Sequence, residues 1–287
     1  MRLLNFAILV PACSIAALGQ NVPSAIYTDP PTDAKHPAAM TVLHIPSHGL
    51  LINGVVYSPA GAGPHPTIVI CHGLPGNEKN LDLAQALRRA GWNAVTFNYR
   101  GSWGSPGSYK FAQNLQDADA VLAYLREPSN ATKLGIDTKR IVLAGHSMGG
   151  WVTVMTAAHD HGLAGIILVS AADMGQFGKT EHKKLVAEMA DNMEGLAGVT
   201  AEEMANEGAQ NAKAFEFANA VPGLKSVPML VLSANDGLAP QTDALVQAVQ
   251  AEGNRNVKAI HAATDHGWSD HRIFLESTII EWLSALK

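Results

Sequence analysis

The sequence contains little cysteine and little charge. Only 2 of its 287 residues are cysteine, and Asp, Glu, Lys and Arg together make up 16% of the chain. Cys13 falls in an apolar N-terminal stretch, so removal of that stretch would leave Cys71 without a partner for an internal disulfide. Cys71 follows the apolar run Thr67–Ile70, a context typical of a buried and unreactive thiol.

Long runs of one charge sign are also missing. The formal net charge is -5 and no extended basic segment occurs, which excludes the electrostatic footprint of a nucleic-acid-binding protein. The 12 histidines are scattered, and none belongs to a His/Cys cluster with the spacing of a structural zinc site. No strand pattern leads into a Gly-x-Gly-x-x-Gly loop, which argues against a dinucleotide-dependent oxidoreductase. We therefore expect neither a metal nor an organic cofactor.

The first 19 residues have the pattern of a cleavable signal peptide. Arg2 supplies a positive start, residues 3–18 are mostly apolar, and Ala17-Leu18-Gly19 places small residues before a cleavage site. The run is too short and interrupted for a comfortable transmembrane span, so we expect secretion or periplasmic export without stable membrane insertion. Two alternatives are left open, a lipoprotein signal ending at Cys13 and a buried N-terminal helix.

The remainder has the pattern of an α/β domain. Residues 20–39 hold several prolines and suggest an extended segment, whereas residues 40–59, with turn residues at His48-Gly49 and Asn53-Gly54, predict antiparallel strands at a sheet edge. Short apolar runs then alternate with helix-spaced segments, which predicts a parallel sheet with helices on both faces. The predicted strands are Thr67–Cys71, Asn93–Asn98, Arg140–Ala144, Leu163–Ser170, Pro228–Ser233 and Val257–His261. The predicted helices are Leu81–Ala90, Asn114–Arg126, Met148–His159, Gln241–Glu252 and Ile273–Leu286.

One stretch, residues 172–225, breaks this alternation. It contains no convincing strand, is rich in Ala, Met, Glu and Lys, and is typical of several short helices. Ligand sites of open α/β sheets lie at the carboxyl ends of the strands, and the insertion leaves from such an end. We therefore expect a helical cap over the site. The alternative is a helical elaboration that covers the sheet edge and touches no substrate.

The most informative segment is Gly145-His146-Ser147-Met148-Gly149. It follows the apolar run Ile141–Ala144 and precedes a predicted helix. A serine at a sharp strand-to-helix turn has a strained backbone, and side chains two residues before or after it would collide there, which explains the glycines. Amide groups at the start of the helix point toward a developing oxyanion. The segment predicts that Ser147 is a nucleophile.

On these residues the chain resembles the α/β-hydrolase superfamily, and it is similar to the serine-esterase, dienelactone-hydrolase-like and prolyl-oligopeptidase-like branches. The resemblance covers about residues 40–287. It implies the α/β-hydrolase fold, with a mostly parallel sheet, helices on both faces and a helical cap insertion. It also implies that a nucleophilic serine, an acid and a histidine follow one another in chain order, each after a strand.

The acid and the base can be sought in that order. Asp236 follows a late strand and is the candidate acid, with Asp173 as its rival after an earlier strand. His266 lies in the loop before the final predicted helix and is the candidate base. His261 and His271 are weaker candidates, because one falls within a strand and the other near a helix start. The imidazole would take the serine proton, while the carboxylate holds the ring in the correct tautomer.

Two loops are expected to complete the site. The loop His72-Gly73-Leu74-Pro75-Gly76-Asn77 is similar to the family's His-Gly loop, which implies that the backbone amides of Leu74 and Met148 form the oxyanion hole. His72 is favoured as a brace of this loop over a catalytic base, and it is also a candidate pocket residue. Arg100, in the loop after Asn93–Asn98, is favoured as a structural brace over a substrate contact.

Trp103 and Tyr109 are further candidates for the substrate pocket, with ordinary packing as the alternative. Taken with the resemblance, the residues imply carboxylesterase-like hydrolysis of a small-molecule ester or related acyl bond through an acyl-enzyme. The alternatives are a small serine peptidase, a thioesterase, or a non-catalytic protein of the same fold that binds a small hydrophobic ligand. A serine at position 147, where a dehalogenase-like reaction needs an aspartate, argues against that chemistry.

Overall fold

The computed structural model describes residues 22–286. The predicted signal peptide, its cleavage site and Cys13 lie outside these residues, so export stays a prediction. The described part begins with an irregular segment that carries one 3₁₀ turn at Ser24–Ile26. Among residues 22–286, none of the helices combines the length and the apolar character needed to cross a bilayer.

An eight-stranded sheet runs through the molecule in the order β1-β2-β4-β3-β5-β6-β7-β8. Strands β3 to β8 are parallel, and β1 and β2 join them as an antiparallel hairpin at one edge. This arrangement confirms the predicted α/β-hydrolase fold. The strands are β1 (Ala39–Ser47), β2 (Leu50–Ser58), β3 (His65–Cys71), β4 (Asn93–Phe97), β5 (Ile136–His146), β6 (Gly165–Val169), β7 (Met229–Ser233) and β8 (Val257–His261).

Helices cover both faces of the sheet. They are α1 (Leu81–Arg89), α2 (Phe111–Arg126), α3 (Pro128–Leu134), α4 (Met148–Ala157), α5 (His182–Ala190), α6 (Ala201–Phe215), α7 (Ala239–Ala251) and α8 (Arg272–Ala285). Alternate residues of each inner strand face opposite cores: Val69 packs with α2 and α4, and Ile68 packs with α1 and α8. Both side chains are fully buried, which explains why the central strands have continuous apolar sequences.

The edge hairpin confirms one of the two predicted turns and corrects the other. His48 and Gly49 join β1 to β2 and both have positive φ values, 45° and 84°. Asn53-Gly54, in contrast, lies inside β2 and is not a turn. Gly54 pairs with Phe97 of β4, where a Cβ atom would lie 3.1 Å from the Thr96 carbonyl oxygen. The glycine is needed for close strand approach rather than for chain reversal.

Helix α2 starts earlier than predicted because its first turn is capped from a distant part of the chain. The Glu207 carboxylate of α6 accepts hydrogen bonds from the backbone amides of Phe111 (3.0 Å) and Ala112 (2.9 Å). These are two of the amides that have no partner within a helix. Pro128 follows the end of α2 and opens α3, because proline is well suited to the first helical position.

The insertion at residues 172–225 is helical, as predicted. It comprises α5, α6 and the 3₁₀ segments Met174–Lys179, Phe217–Asn219 and Val221–Leu224. It is anchored on α4, since the Trp151 indole donates to the Phe215 carbonyl oxygen at 2.9 Å and the two rings pack edge to face. Its residues 193–198 run along the loop after β4, where the Ala197 amide donates to the Gly101 carbonyl oxygen at 2.8 Å.

Candidate active site

Ser147 occupies the sharp turn between β5 and α4. Its φ and ψ angles are 56° and -123°, a conformation that costs a non-glycine residue about 1–3 kcal/mol. Three backbone bonds hold it there. The Ser147 amide donates to Val169 at 3.0 Å, and its carbonyl oxygen accepts from Gly150 (2.9 Å) and Ala172 (3.0 Å). Neighbouring strands and the insertion thus fix the strained turn.

The two glycines of the motif are required by close backbone contacts. A Cβ atom on Gly145 would overlap the carbonyl oxygen of Gly149. A Cβ atom on Gly149 would overlap the carbonyl oxygen of Cys71 at the end of β3. The turn is therefore packed directly against the start of the His72–Asn77 loop, which brings that loop close to Ser147. The steric reasoning from sequence applies to both glycine positions.

Asp236 and His266 lie together at the carboxyl ends of β7 and β8. The Nδ1–H of His266 donates to Oδ2 of Asp236 at 2.8 Å. The Asp236 side chain is 4% exposed and that of His266 is 42% exposed, so the carboxylate is shielded while the imidazole is open to solvent. The other carboxylate oxygen of Asp236 accepts from the Leu238 amide at 2.9 Å.

Hydrogen bonding keeps Asp236 ionised despite its burial. Burial alone would raise its pKa, but the hydrogen bonds from His266, from the Leu238 amide and from the Ser170 hydroxyl outweigh it. The pKa of Asp236 therefore lies below the ordinary carboxyl value. An ionised Asp236 accepts the Nδ1 proton, so Nε2 of His266 keeps a free lone pair for proton abstraction.

His266 contacts the Ser147 turn by way of His146, the residue before Ser147. Nε2 of His146 lies 2.8 Å from the backbone carbonyl oxygen of His266, and the two imidazole centroids are 4.7 Å apart. Within residues 22–286, no hydrogen bond joins the Ser147 hydroxyl to the His266 ring. Hydrogen bonds between a nucleophile and its base often tighten only when substrate is bound.

The rival residues are engaged elsewhere. Asp173 accepts hydrogen bonds from the amides of Gly175 (3.0 Å) and Phe217 (3.2 Å), so its carboxylate organises the insertion. His261 contacts Ser233 and Asn235, and His271 contacts its neighbour Asp270. Among the described residues, His266 is the only one of the three candidate histidines that is hydrogen-bonded to a candidate acid.

The two candidate oxyanion amides flank Ser147. A Cβ atom on Gly73 would lie 3.0 Å from Cβ of Ser147, so the loop that carries Leu74 passes beside Ser147. Met148 is the first residue of α4, where the helix dipole favours negative charge. In the part of the chain that the structure describes, neither the Leu74 nor the Met148 amide donates to a protein acceptor. Both amides are available to an anionic oxygen.

Two predicted pocket residues are buried supports instead. His72 is 2% exposed; its Nδ1 bonds to the Gly73 carbonyl oxygen at 2.8 Å, and burial lowers its pKa to about 4. Tyr109 is 1% exposed, and its hydroxyl donates to the Met148 sulfur at 3.0 Å. The prediction that they line the substrate pocket is wrong, because neither presents surface to a ligand. His72 acts as the predicted loop brace.

Trp103 joins the His72–Asn77 loop to the insertion. Its indole N–H donates to the Pro75 carbonyl oxygen at 2.7 Å, and its backbone amide donates to Gly195 at 2.7 Å. A Cβ atom on Gly195 would lie 2.6 Å from the Trp103 ring, which shows how closely the insertion covers this residue. The Lys79 ammonium, just beyond the His72–Asn77 loop, lies 4.5 Å from the centroid of the Trp103 ring.

Arg100 is a brace, as favoured from the sequence. Its Nε donates to Oδ1 of Asp117 at 2.6 Å, and its backbone amide donates to Oδ2 at 2.8 Å. Both side chains are buried, so this pair fixes the loop after β4. The carboxylate also accepts from the Ser47 hydroxyl, which ties the loop to the edge hairpin.

Two residues of the site were missed from the sequence. Ser170, at the end of β6, is 1% exposed and accepts a hydrogen bond from the Trp268 indole at 3.1 Å while supporting Asp236. Its position after a central strand was the available signal. His146 had no such signal, because its motif position tolerates any side chain.

Within residues 22–286, no group of three His, Cys, Asp or Glu side chains is arranged to hold a metal ion.

A comparison with protein families matches residues 68–277 to the family described as the alpha/beta hydrolase family. The quorum-quenching protein AidA of Acinetobacter baumannii is 31% identical over 137 residues, which cover 46% of this chain and 43% of AidA. An uncharacterized protein of Mycobacterium tuberculosis is 29% identical over 126 residues, which cover 44% of this chain and 43% of that protein. The matches thus span less than half the length of these curated relatives.

Solved structures extend the likeness over most of the chain. An esterase of Pyrobaculum calidifontis superposes with a TM-score of 0.67 at 23% identity and covers 88% of each chain. DcsB, in complex with a substrate analogue, gives 0.66 at 16% identity and covers 86% of this chain and 99% of DcsB. An acylaminoacyl peptidase of Pyrococcus horikoshii gives 0.64 at 17% identity and covers 86% of this chain and 41% of the peptidase. At these identities the superpositions establish the fold alone.

Proposed function

The chain belongs to the alpha/beta hydrolase family, and we propose that it is a serine hydrolase that cleaves carboxylic esters through an acyl-enzyme intermediate. Ser147 is the nucleophile, His266 the general base and Asp236 the residue that orients the base. The observation that carries the proposal is the 2.8 Å hydrogen bond between His266 and the shielded Asp236 beside the strained Ser147 turn.

In the first step the Ser147 hydroxyl attacks the ester carbonyl while Nε2 of His266 takes its proton. The resulting imidazolium is stabilised by Asp236, whose lowered pKa keeps it negatively charged at neutral pH. His266 then gives the proton to the departing alcohol. Water, activated by the same imidazole, releases the acid from Ser147. The exposed face of His266 supports both proton transfers.

The negative oxygen of the tetrahedral intermediate would lie between the Leu74 and Met148 amides. Two observations support this placement. Neither amide has a protein acceptor among the described residues, and α4 starts at Met148. Loss of one such donor typically costs about 3 kcal/mol of transition-state stabilisation. The Trp103 bond to Pro75 supports the loop that carries Leu74, so the insertion contributes indirectly to this part of the site.

A Ser147→Ala variant tests the nucleophile. We expect loss of turnover on nitrophenyl esters and loss of labelling by a fluorophosphonate probe, with an unchanged melting temperature. Ser284→Ala is the matched control, because Ser284 is exposed near the end of α8. Persistent labelling of the Ser147→Ala variant would remove Ser147 from its proposed role.

The bond that is cleaved is tested by comparing substrates on the wild-type protein. We expect the highest kcat/KM with carboxylic esters in a panel that also contains thioesters and aminoacyl amides. Rates over nitrophenyl esters of rising acyl length then measure the room beneath the insertion. A higher kcat/KM with a thioester or an aminoacyl amide would replace the esterase assignment with a thioesterase or a peptidase on the same three residues.

A further inference from the structure

His146 makes contacts that the proposed reaction does not use. It is the last residue of β5, its side chain is largely buried, and it directly precedes Ser147. Its ring lies 4.7 Å from the His266 ring at an angle of 44°. Its Nε2 atom lies 2.8 Å from the backbone carbonyl oxygen of His266. One side chain therefore contacts both the backbone and the ring of the base.

The hydrogen bond fixes the tautomer of His146. A carbonyl oxygen only accepts, so Nε2 must carry the proton and Nδ1 must be unprotonated in the neutral ring. Within residues 22–286, Nδ1 has no hydrogen-bond partner, although it is buried. Burial, and next the nearby His266, lowers the pKa of His146 to about 4, so the ring is neutral over the range in which a base operates. A neutral ring keeps the donor and introduces no charge beside the base.

Stability alone does not account for this histidine. A buried nitrogen without a partner lowers stability, whereas an apolar ring of similar size would fill the space without that loss. Near Nδ1 stands Gly73, whose added Cβ atom would lie 3.6 Å away. The useful part of the side chain is consequently its Nε2–H, which points at the His266 carbonyl oxygen.

Several hydrogen bonds hold the loop that carries His266, but among residues 22–286 those on either side of His266 do not involve its own backbone. The Trp268 indole donates to Ser170, and the Arg272 guanidinium donates to the Gly267 carbonyl oxygen at 3.2 Å. In the described part of the chain, the carbonyl oxygen of His266 itself accepts a side-chain hydrogen bond from His146 alone. His146 moves with the Ser147 turn because the two residues are consecutive. The bond thus ties the base to the nucleophile.

We infer that His146 is a positioning residue, which holds the backbone of the general base His266 at a set distance from Ser147 through its Nε2–H donor. The inference rests on the proposed function of Ser147 and His266. His146 touches neither substrate nor the reacting atoms. It acts by holding the backbone of His266 beside the Ser147 turn, while Asp236 controls the tautomer of the His266 ring.

Two substitutions separate the donor from the ring. His146→Phe keeps an aromatic ring but removes the donor, and His146→Gln removes the ring but places an amide N–H near the position of Nε2. His65→Phe is the matched control, because His65 makes a similar 3.1 Å contact to the Gly61 carbonyl oxygen. His65 is the first residue of β3, whereas the candidate site lies at the carboxyl ends of the strands. Melting temperatures of all three variants establish that they are folded.

The first measurement is the proton NMR signal of the His266 Nδ1–H in the full chain, which needs no turnover. A loosened His266 pairs less well with Asp236, so we expect His146→Phe to weaken or broaden the downfield signal of this hydrogen-bonded proton. His146→Gln and His65→Phe should keep the wild-type signal. A wild-type signal in folded His146→Phe would overturn the inference.

The second measurement is ester turnover. We expect kcat of His146→Phe to fall about tenfold with little change in KM, since one neutral hydrogen bond is worth on the order of one factor of ten. His146→Gln should recover most of that loss. Equal losses in both folded variants would assign the effect to ring packing and overturn the donor role. If His146→Phe does not fold, a wild-type Nδ1–H signal and wild-type turnover in His146→Gln support the inference, and their loss refutes it. If no acyl substrate is turned over, the proposed function fails, but the Nδ1–H signal still decides the role of His146.

Discussion

Replacement of Asp236 by asparagine changes one atom of the side chain and removes its charge. Asp236 now accepts from His266 at 2.8 Å and from the Leu238 amide at 2.9 Å. In the Asp236→Asn variant one acceptor oxygen can still serve the Leu238 amide, so the turn after β7 should survive. The amide nitrogen would then face Nδ1 of His266 and donate to it. The imidazole would carry its proton on Nε2 and could not accept the proton of Ser147.

The size of the expected fall in kcat follows from that change of tautomer. A base in the wrong tautomer leaves only binding and the oxyanion amides, so kcat should fall roughly 10,000-fold, or about 5 kcal/mol of transition-state stabilisation. The imidazolium formed in the reaction also loses the shielded carboxylate, whose side chain is 4% exposed. We expect KM to change little, because Asp236 is remote from substrate.

The assay is steady-state hydrolysis of a nitrophenyl ester across pH by the wild-type protein, Asp236→Asn and Asp173→Asn. Asp173→Asn is the control for the rival acid, and an asparagine there can still accept from the Gly175 amide. Its kcat should stay near the wild-type value. A folded Asp236→Asn variant with near wild-type kcat, or a severe loss confined to Asp173→Asn, would refute the assignment of the acid.

Three further predictions concern the loop, the stability and the N terminus. Trp103→Phe removes the 2.7 Å bond to the Pro75 carbonyl oxygen, and we expect kcat to fall about tenfold in the same ester assay; an unchanged kcat would contradict the bracing role. Burial, and next the charge of Asp82, raises the pKa of Glu276 from its ordinary 4.5 to about 7. The folded protein therefore keeps a proton on Glu276 that it loses as pH rises through 7, and stability falls over the same range. Glu276→Gln should therefore raise the melting temperature at pH 8 by about 2–4 °C, the shift that roughly 1 kcal/mol produces, with a smaller gain at pH 5; an equal effect at both pH values would contradict this. If the first 19 residues are a signal peptide, intact mass of the exported protein should correspond to a chain that starts at Gln20, and retention of Met1 would contradict it.

The parts of the fold that could be predicted from sequence are those set by local physical rules. The central strands are buried on both faces along their apolar runs, as Ile68 and Val69 of β3 illustrate, whereas β8 at the sheet edge is partly exposed. The Ser147 turn was recognisable because steric overlap at Gly145 and Gly149 permits almost no other residue there. Asp236 and His266 could be nominated because parallel strands bring their carboxyl ends to one edge of the sheet.

The parts that could not be predicted depend on contacts between distant segments. The start of α2 is set by Glu207 from the insertion, 95 positions beyond Ala112 along the chain. Tyr109 was assigned to a pocket from its loop position, but its burial beneath Met148 arises only after α2 and α4 pack together. His146 contacts a residue 120 positions away, and no local pattern signals such a bond.

The most direct test of the central claim is to trap the acyl-enzyme and locate it by peptide mass spectrometry. Wild-type protein is mixed with excess nitrophenyl ester, quenched in acid within the first turnovers and digested. We predict one acyl adduct, on the peptide that contains Ser147, and no adduct on a folded His266→Phe variant under the same conditions. An adduct on another residue, or rapid ester turnover with no adduct on Ser147 at any quench time, would contradict the account.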